Sequence, residues 1–160
     1  KFKKTNYTNC DNIMIEIKTI NKNEYDIWYS LWQDYLVFYK SSLTDNIAKN
    51  NWKRFHDPDQ PLIALGAYFN GSLIGFVHYI FHKTNWDLND TCYLQDLYVD
   101  LSIRGNGAGR SLIEAVFSDA KAKGSPAVYW LTEENNNNAR KLYDKITGLS
   151  GFVHYNKSLI

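Results

Sequence analysis

Between Ile103 and Ser111 the chain reads RGNGAGR, in which Gly105, Gly107 and Gly109 alternate with Asn106 and Ala108 between Arg104 and Arg110. Glycine lacks the Cβ that holds a ligand off the main chain, so this spacing lets a bulky anion lie against backbone N–H groups. The apolar run TCYLQDLYV precedes the loop, and an amphipathic stretch follows it. Ala108, Leu112, Ile113, Val116, Phe117 and Ala120 share one face of that stretch. A strand that feeds a helix through glycines gathers unpaired amides at the positive end of the helix dipole, and two arginines add fixed charge. The chemistry that fits is diphosphate binding.

Two common diphosphate sites do not match. A dinucleotide fold requires GxGxxG after its first strand and a long βαβ array behind it. Here position 110 is arginine and only about fifty residues remain. The GxxxxGK[ST] phosphate loop is absent. What remains is a phosphate-bearing cofactor lying across a mixed sheet.

The elements that must position this loop are legible in the hydrophobic pattern. MIEIKTI alternates with period two and predicts a first strand over Ile13 to Ile20. YDIWYSLWQDYLVFY places Trp28, Leu31, Trp32, Tyr35, Leu36 and Tyr39 on one helical face, and a second helix is expected over Thr44 to Phe55, before Asp57-Pro58. Asn70-Gly71 supplies the positive φ angles of a tight hairpin between two extended runs. TCYLQDLYV is the next strand, Gly107 to Lys123 a helix ended by Gly124-Ser125-Pro126, AVYWL a short buried strand, NNARKLYDKI a helix, and GFVHYNKSLI the last strand. The order βααβββαβαβ predicts an α/β layered sheet of mixed direction.

Composition narrows the setting. With 160 residues, 44% hydrophobic and 22% charged, the chain is expected to be globular, with residues 1–12 a flexible extension and 13–160 one folded domain. A net charge of +1 and no basic run longer than Lys3-Lys4 argue against nucleic acid as a partner. No apolar run reaches the ~18 residues of a membrane span, and no secretory leader is visible, so a cytoplasmic location is expected without membrane association. Cys10 and Cys92 have no metal-binding spacing, and no metal is expected.

RGNGAG resembles the R/Q-x-x-G-x-G/A acyl-CoA loop of the GNAT superfamily of N-acetyltransferases, and Asn136, Ala139, Leu142 and Tyr143 in ENNNNARKLY are similar to its second signature, N-x-x-A-x-x-L-Y. The two motifs have the family's separation, with a strand between them. More narrowly, FHKTNWD, LYVD, GSPAVYWLTEENN and LWQDY with RFHDP resemble a fungal branch of histone, polyamine and D-amino-acid acetyltransferases and its bacterial relatives, and YLQDLYV through RGNGAG is also similar to diamine acetyltransferases. The resemblance implies a mostly antiparallel central sheet of about six or seven strands with about four helices, and acetyl-CoA as cofactor. It also implies direct transfer of acetyl to a primary amine in a ternary complex, the acceptor being a polyamine, an amino acid or a protein lysine. By the family pattern, Leu97, Tyr98 and Val99 offer backbone groups to the pantetheine and thioester, Arg104 to Arg110 surround the diphosphate, and Asn136 and Ala139 meet the pantetheine arm. Tyr143 is then the acid that protonates the leaving thiolate. The family's habits also imply a homodimer.

An alkylammonium with a pKa near 10.4 must lose its proton before it attacks, which at pH 7 costs roughly 4 to 5 kcal/mol. Holding amine and thioester together can contribute about 7 to 11 kcal/mol. In diamine acetyltransferases the strand before the glycine loop carries a Glu-Asp pair; here it is Gln95-Asp96. Gln95 cannot accept a proton at neutral pH, which leaves Asp96, a water chain, or a histidine such as His78 or His82 as base. Asp96 is alternatively a partner for a cationic acceptor or a structural residue, and Trp86 lines the acceptor groove or pins its own loop. Gln95 also supports a second reading, a non-catalytic acyl-CoA-binding or regulatory module.

Overall fold

The computed structural model describes residues 15–159. Contacts divide them into a unit ending at Trp130 and another beginning at Leu131. The expected N-terminal extension, and the start of the first predicted strand at Ile13, lie outside the described residues.

In the first unit a sheet is ordered β1-β2-β3-β4-β5: β1 (Ile15–Thr19), β2 (Leu62–Phe69), β3 (Ser72–His82), β4 (Thr91–Val99) and β5 (Val128–Tyr129). The first four pair antiparallel, and β5 runs parallel to β4. Asn70 and Gly71 take φ of 49° and 80°, the left-handed pair that a two-residue hairpin requires between β2 and β3. The parallel step follows from the helix α3 (Ala108–Ala122), which carries the chain back to the sheet.

Neighbouring residues of β3 identify the two layers, because successive side chains of a strand point to opposite faces. Trp28 of α1 (Tyr25–Phe38) donates to His78 at 3.0 Å, whereas Tyr79 donates to Asp119 of α3 at 2.8 Å. On the α1 face Trp28, Leu31, Trp32 and Leu36 bury their predicted stripe against Tyr68, Leu73, Phe76 and Tyr98, with Ala48 of α2 (Asp45–Phe55) in the same cluster. On the opposite face Leu112, Ile113 and Val116 of α3 are fully buried. Each such aliphatic side chain contributes about 1.5–3 kcal/mol of burial, so both layers are held firmly to the sheet.

The second unit holds α4 (Asn137–Tyr143) and irregular chain on either side of it. The expected four helices are present, but the described residues form five strands where six or seven were expected. AVYWL pairs only at Val128–Tyr129, and residues 151–159 form no strand at all. Phe152, Val153 and Tyr155 are exposed there. Their alternation is a property of sequence, whereas a strand exists only where a ladder partner accepts it.

Candidate active site

Two irregularities in β4 open the sheet. β4 meets β5 only at Cys92 with Val128 and Tyr93 with Tyr129, so from Leu94 to Val99 its backbone has no strand partner on that side among the described residues. On its other side the register with β3 skips one residue: Tyr79 faces Leu94 and His78 faces Asp96, leaving Gln95 as an exposed bulge. A bulge adds twist and re-aims the side chains beside it. Backbone groups in the stretch Leu97 to Val99 that point away from β3 therefore run along an open edge toward the glycines.

After Val99 the chain turns through a short 3-10 helix (Leu101–Ile103), held by Asp100, whose carboxylate accepts from the backbone and hydroxyl of Ser102 at 2.8 and 2.7 Å. Gly105 and Gly107 then adopt φ of 91° and 83°. A Cβ built on either would meet no atom within 4 Å, so the protein itself does not fill the space in front of the loop. Gly107 caps α3 without a side chain, and the first helical bond is from Ser111 N to Gly107 O at 2.9 Å. The amides of Ala108, Gly109 and Arg110 thus precede any intrahelical acceptor. Arg104 is braced: its Nε donates to Val99 O at 3.0 Å and its guanidinium lies over the Phe38 and Tyr98 rings. Arg110 pairs with Glu114 at 3.1 Å, one turn on. The open cradle, the helix start and the two cations together fit a diphosphate.

His78 and Asp96, both predicted site residues, are joined to α1 in a buried chain. An indole N–H only donates, so Trp28 fixes Nε2 of His78 as an acceptor, and the neutral imidazole carries its proton on Nδ1, 3.0 Å from Asp96 Oδ2. The other carboxylate oxygen accepts from Tyr35 at 2.8 Å. Burial first and Asp96 second hold the Tyr35 hydroxyl well above the usual tyrosine range, so it stays a donor. This chain fastens α1 to the bulged part of β4.

His82, at the end of β3, sits on the same sheet face but outside that network. It contacts the carbonyl of Lys83 through Nδ1 and the Tyr129 hydroxyl through Nε2, each at 2.9 Å. Trp86 projects from the β3–β4 loop almost wholly exposed, its backbone N 3.3 Å from Thr84 Oγ1. No contact joins it to His78, Asp96 or the glycine loop. In the second unit Asn136 caps α4: Oδ1 accepts from Ala139 N at 3.4 Å and Nδ2 donates to Thr132 at 3.1 Å. The N-x-x-A spacing is thus the spacing of a helix cap. Tyr143 ends the same helix, half-buried.

The chain matches the acetyltransferase (GNAT) family over residues 24–149. It belongs to that family. It is 37% identical to D-amino-acid N-acetyltransferase HPA3 of Saccharomyces cerevisiae over 149 residues, 92% of each chain. In fold it is similar to a ribosomal-protein-alanine N-acetyltransferase from Brucella melitensis biovar Abortus, at TM-score 0.78 and 20% identity over 91% of this chain and 99% of the other. It is also similar to the aminoglycoside N-acetyltransferase AAC(6')-Iy in complex with CoA, at TM-score 0.75 and 20% identity over 91% and 96%. The protein is an N-acetyltransferase, and acetyl-CoA is the acyl donor of its family.

The sequence pattern did not show the hydrogen bonds of Trp28, Tyr35 and Tyr129 to His78, Asp96 and His82. Trp28 and Tyr35 were legible only as parts of an apolar stripe, because their polar atoms find partners 50 and 61 residues away. The bulge at Gln95 also left no trace in the apolar alternation.

Proposed function

We propose that this chain transfers acetyl directly from acetyl-CoA to the primary amine of an amino-acid-sized acceptor, both held at once. The observation that carries the reading is the unpaired edge of β4 leading into a glycine cradle with no protein atom in it. The acceptor class is supported by the 37% identity to a D-amino-acid N-acetyltransferase over 92% of the chain; polyamines and lysine side chains are the acceptors against which it is to be compared.

Acetyl-CoA supplies an activated acetyl thioester. The cradle of Arg104 to Arg110 orients its diphosphate, and the backbone of Leu97 to Val99 holds the pantetheine and donates N–H groups to the carbonyl oxygen where charge develops. Asn136 and Ala139 contribute to the pantetheine site, and Tyr143 gives a proton to the leaving thiolate, as the family pattern implies. Gln95, freed by the bulge, contacts the acceptor, with Trp86 at the groove's outer rim. Asp96 holds Tyr35 and His78 in place on the acceptor side of β4.

A homodimer in the cytoplasm completes the proposal. Exposed Leu149, Phe152, Val153, Tyr155 and Leu159 form an apolar segment suited to burial against another copy, and gel filtration with light scattering tests it. Among the described residues no helix is long and apolar enough to cross a membrane. The function is tested by incubating the purified protein and acetyl-CoA with D- and L-amino acids, polyamines, aminoglycosides and a lysine-bearing histone-tail peptide while following free thiol. Release that depends on amino acids is expected; release with another class alone would overturn the acceptor assignment.

A further inference from the structure

The acceptor's ammonium must lose a proton, and the buried network is already engaged in holding α1 to β4. Both oxygens of Asp96 already accept hydrogen bonds, and Nε2 of His78 accepts from Trp28. A base must present a lone pair within hydrogen-bond reach of the proton it takes.

His82 has such a lone pair. Its Nδ1 lies 2.9 Å from the Lys83 carbonyl oxygen, which can only accept, so Nδ1 carries the proton and Nε2 accepts from the Tyr129 hydroxyl at 2.9 Å. Tyr129 is 41% exposed, and its ring stacks on Tyr93 with centroids 5.0 Å apart. These two tyrosines are also the last residues that join β4 to β5 before the strands part. The backbone of Tyr129 therefore stands at the apex of the opening, one residue from the first unpaired backbone of β4, and its hydroxyl reaches from there to the imidazole at the end of β3.

We propose that Tyr129 and His82 are the proton relay for the acceptor amine. The phenol oxygen of Tyr129 takes a proton from the ammonium while its own O–H proton passes to Nε2 of His82, and the imidazolium returns one proton to water. One proton leaves the amine, none accumulates on Tyr129, and no other reactant is consumed. The inference rests on the acetyltransferase reading above and specifies how its site handles the proton.

The surroundings favour transmission over ionisation at the phenol. Burial, and then Cys92, raise the pKa of Tyr129, so it remains a neutral hydroxyl. The other titratable groups around the pair are Tyr93 and Cys92 on β4, both raised chiefly by burial, Asp96 further along β4, Tyr39 just beyond α1, and Lys83 paired with Asp90 at 2.7 Å. Imidazole is the side chain whose charge changes between pH 5 and 8, and its neutral form is the acceptor. Activity should therefore be lower at acidic pH, where that form is lost.

The test compares wild type, His82→Gln, Tyr129→Phe and His82→Ala in kcat/KM for the best amine between pH 5.5 and 9, alongside acetyl-CoA affinity and thermal unfolding. Each variant should lose on the order of a hundredfold, the low end of what general base catalysis contributes. His82→Gln should also lose the rising limb, added imidazole should restore His82→Ala, and acetyl-CoA affinity should stay within about twofold in all. Variants within about threefold of wild type that keep its pH limb would overturn the relay, as would a loss with an unchanged limb and no rescue. Independently of turnover, nitrogen NMR of unliganded wild type should show His82 protonated on Nδ1, with the Nε2 signal moved in Tyr129→Phe; the opposite tautomer would refute the proposal without a variant. Wild type that releases no thiol with any amine would refute the acetyltransferase reading itself, an outcome distinct from each of these.

Discussion

Replacing Gly107 by asparagine separates the two reasons for a glycine there. At φ 83° an L-residue enters the left-handed region at a cost of roughly 1–2 kcal/mol, which asparagine meets better than most. No atom lies within 4 Å of the added Cβ, so no protein clash is added. Stability should fall by about 1 kcal/mol, or roughly 2–4 °C in Tm for a domain of this size. Affinity for acetyl-CoA should fall much further, by more than about tenfold or ~1.4 kcal/mol, because the new side chain stands where the diphosphate must approach the amides. Gly107→Val should abolish binding. Gly124→Asn is the control: it has φ 71° at the other end of α3, where an added Cβ meets only the Asn89 side chain at 3.4 Å. It should show a similar loss of Tm with unchanged binding. Calorimetry and thermal unfolding on the three variants decide the matter. If Gly107→Asn binds acetyl-CoA within twofold of wild type, the cradle is not the diphosphate site.

The tautomer of His78 makes Trp28→Phe and Trp32→Phe unequal. The first strands a buried imidazole acceptor at an additional cost of about 1–3 kcal/mol, whereas Nε1 of Trp32 has no hydrogen-bond partner among the described residues. Denaturant unfolding should find Trp28→Phe the less stable by that margin, and equal losses would contradict the assigned hydrogen bond. Burial pushes the Cys92 thiol up to about 12 from an ordinary 9.0, so native protein should resist alkylation at Cys92 at pH 8.5 and unfolded protein should not; peptide mapping reads this directly. The sign is that of a raised pKa: the stability Cys92 contributes is fully present below pH 9 and is lost as pH rises toward 12. For Tyr143→Phe, kcat should fall much more than acetyl-CoA affinity, and an equal loss in both would assign Tyr143 to packing.

The glycine loop, the Asn70-Gly71 turn and the aromatic stripe of α1 were legible because each is written in adjacent or periodic residues. The asparagine of N-x-x-A was legible as a motif, and the structure adds the reason, a cap on Ala139 N. Pairing decisions were not legible. Whether Gln95 bulges depends on how β3 aligns with β4, and whether residues 151–159 form a strand depends on a partner that local alternation does not specify. Polar links between distant elements were hidden for the same reason: nothing near Trp28 in sequence indicates that its N–H meets His78, or that Tyr129 meets His82. The histidine that sequence reasoning could not separate from its alternatives differs from His78 only in what surrounds it in space.

In the proposed reaction acetyl-CoA and amine occupy the site together and the acetyl group moves directly between them. Initial rates of thiol release, measured while the concentrations of both substrates are varied, test it most directly. Intersecting double-reciprocal lines are predicted, with no thiol released in the absence of amine beyond background hydrolysis. Parallel lines, or a stoichiometric burst of thiol before amine is added, would mean that the acetyl group first rests on the protein, and would contradict the account.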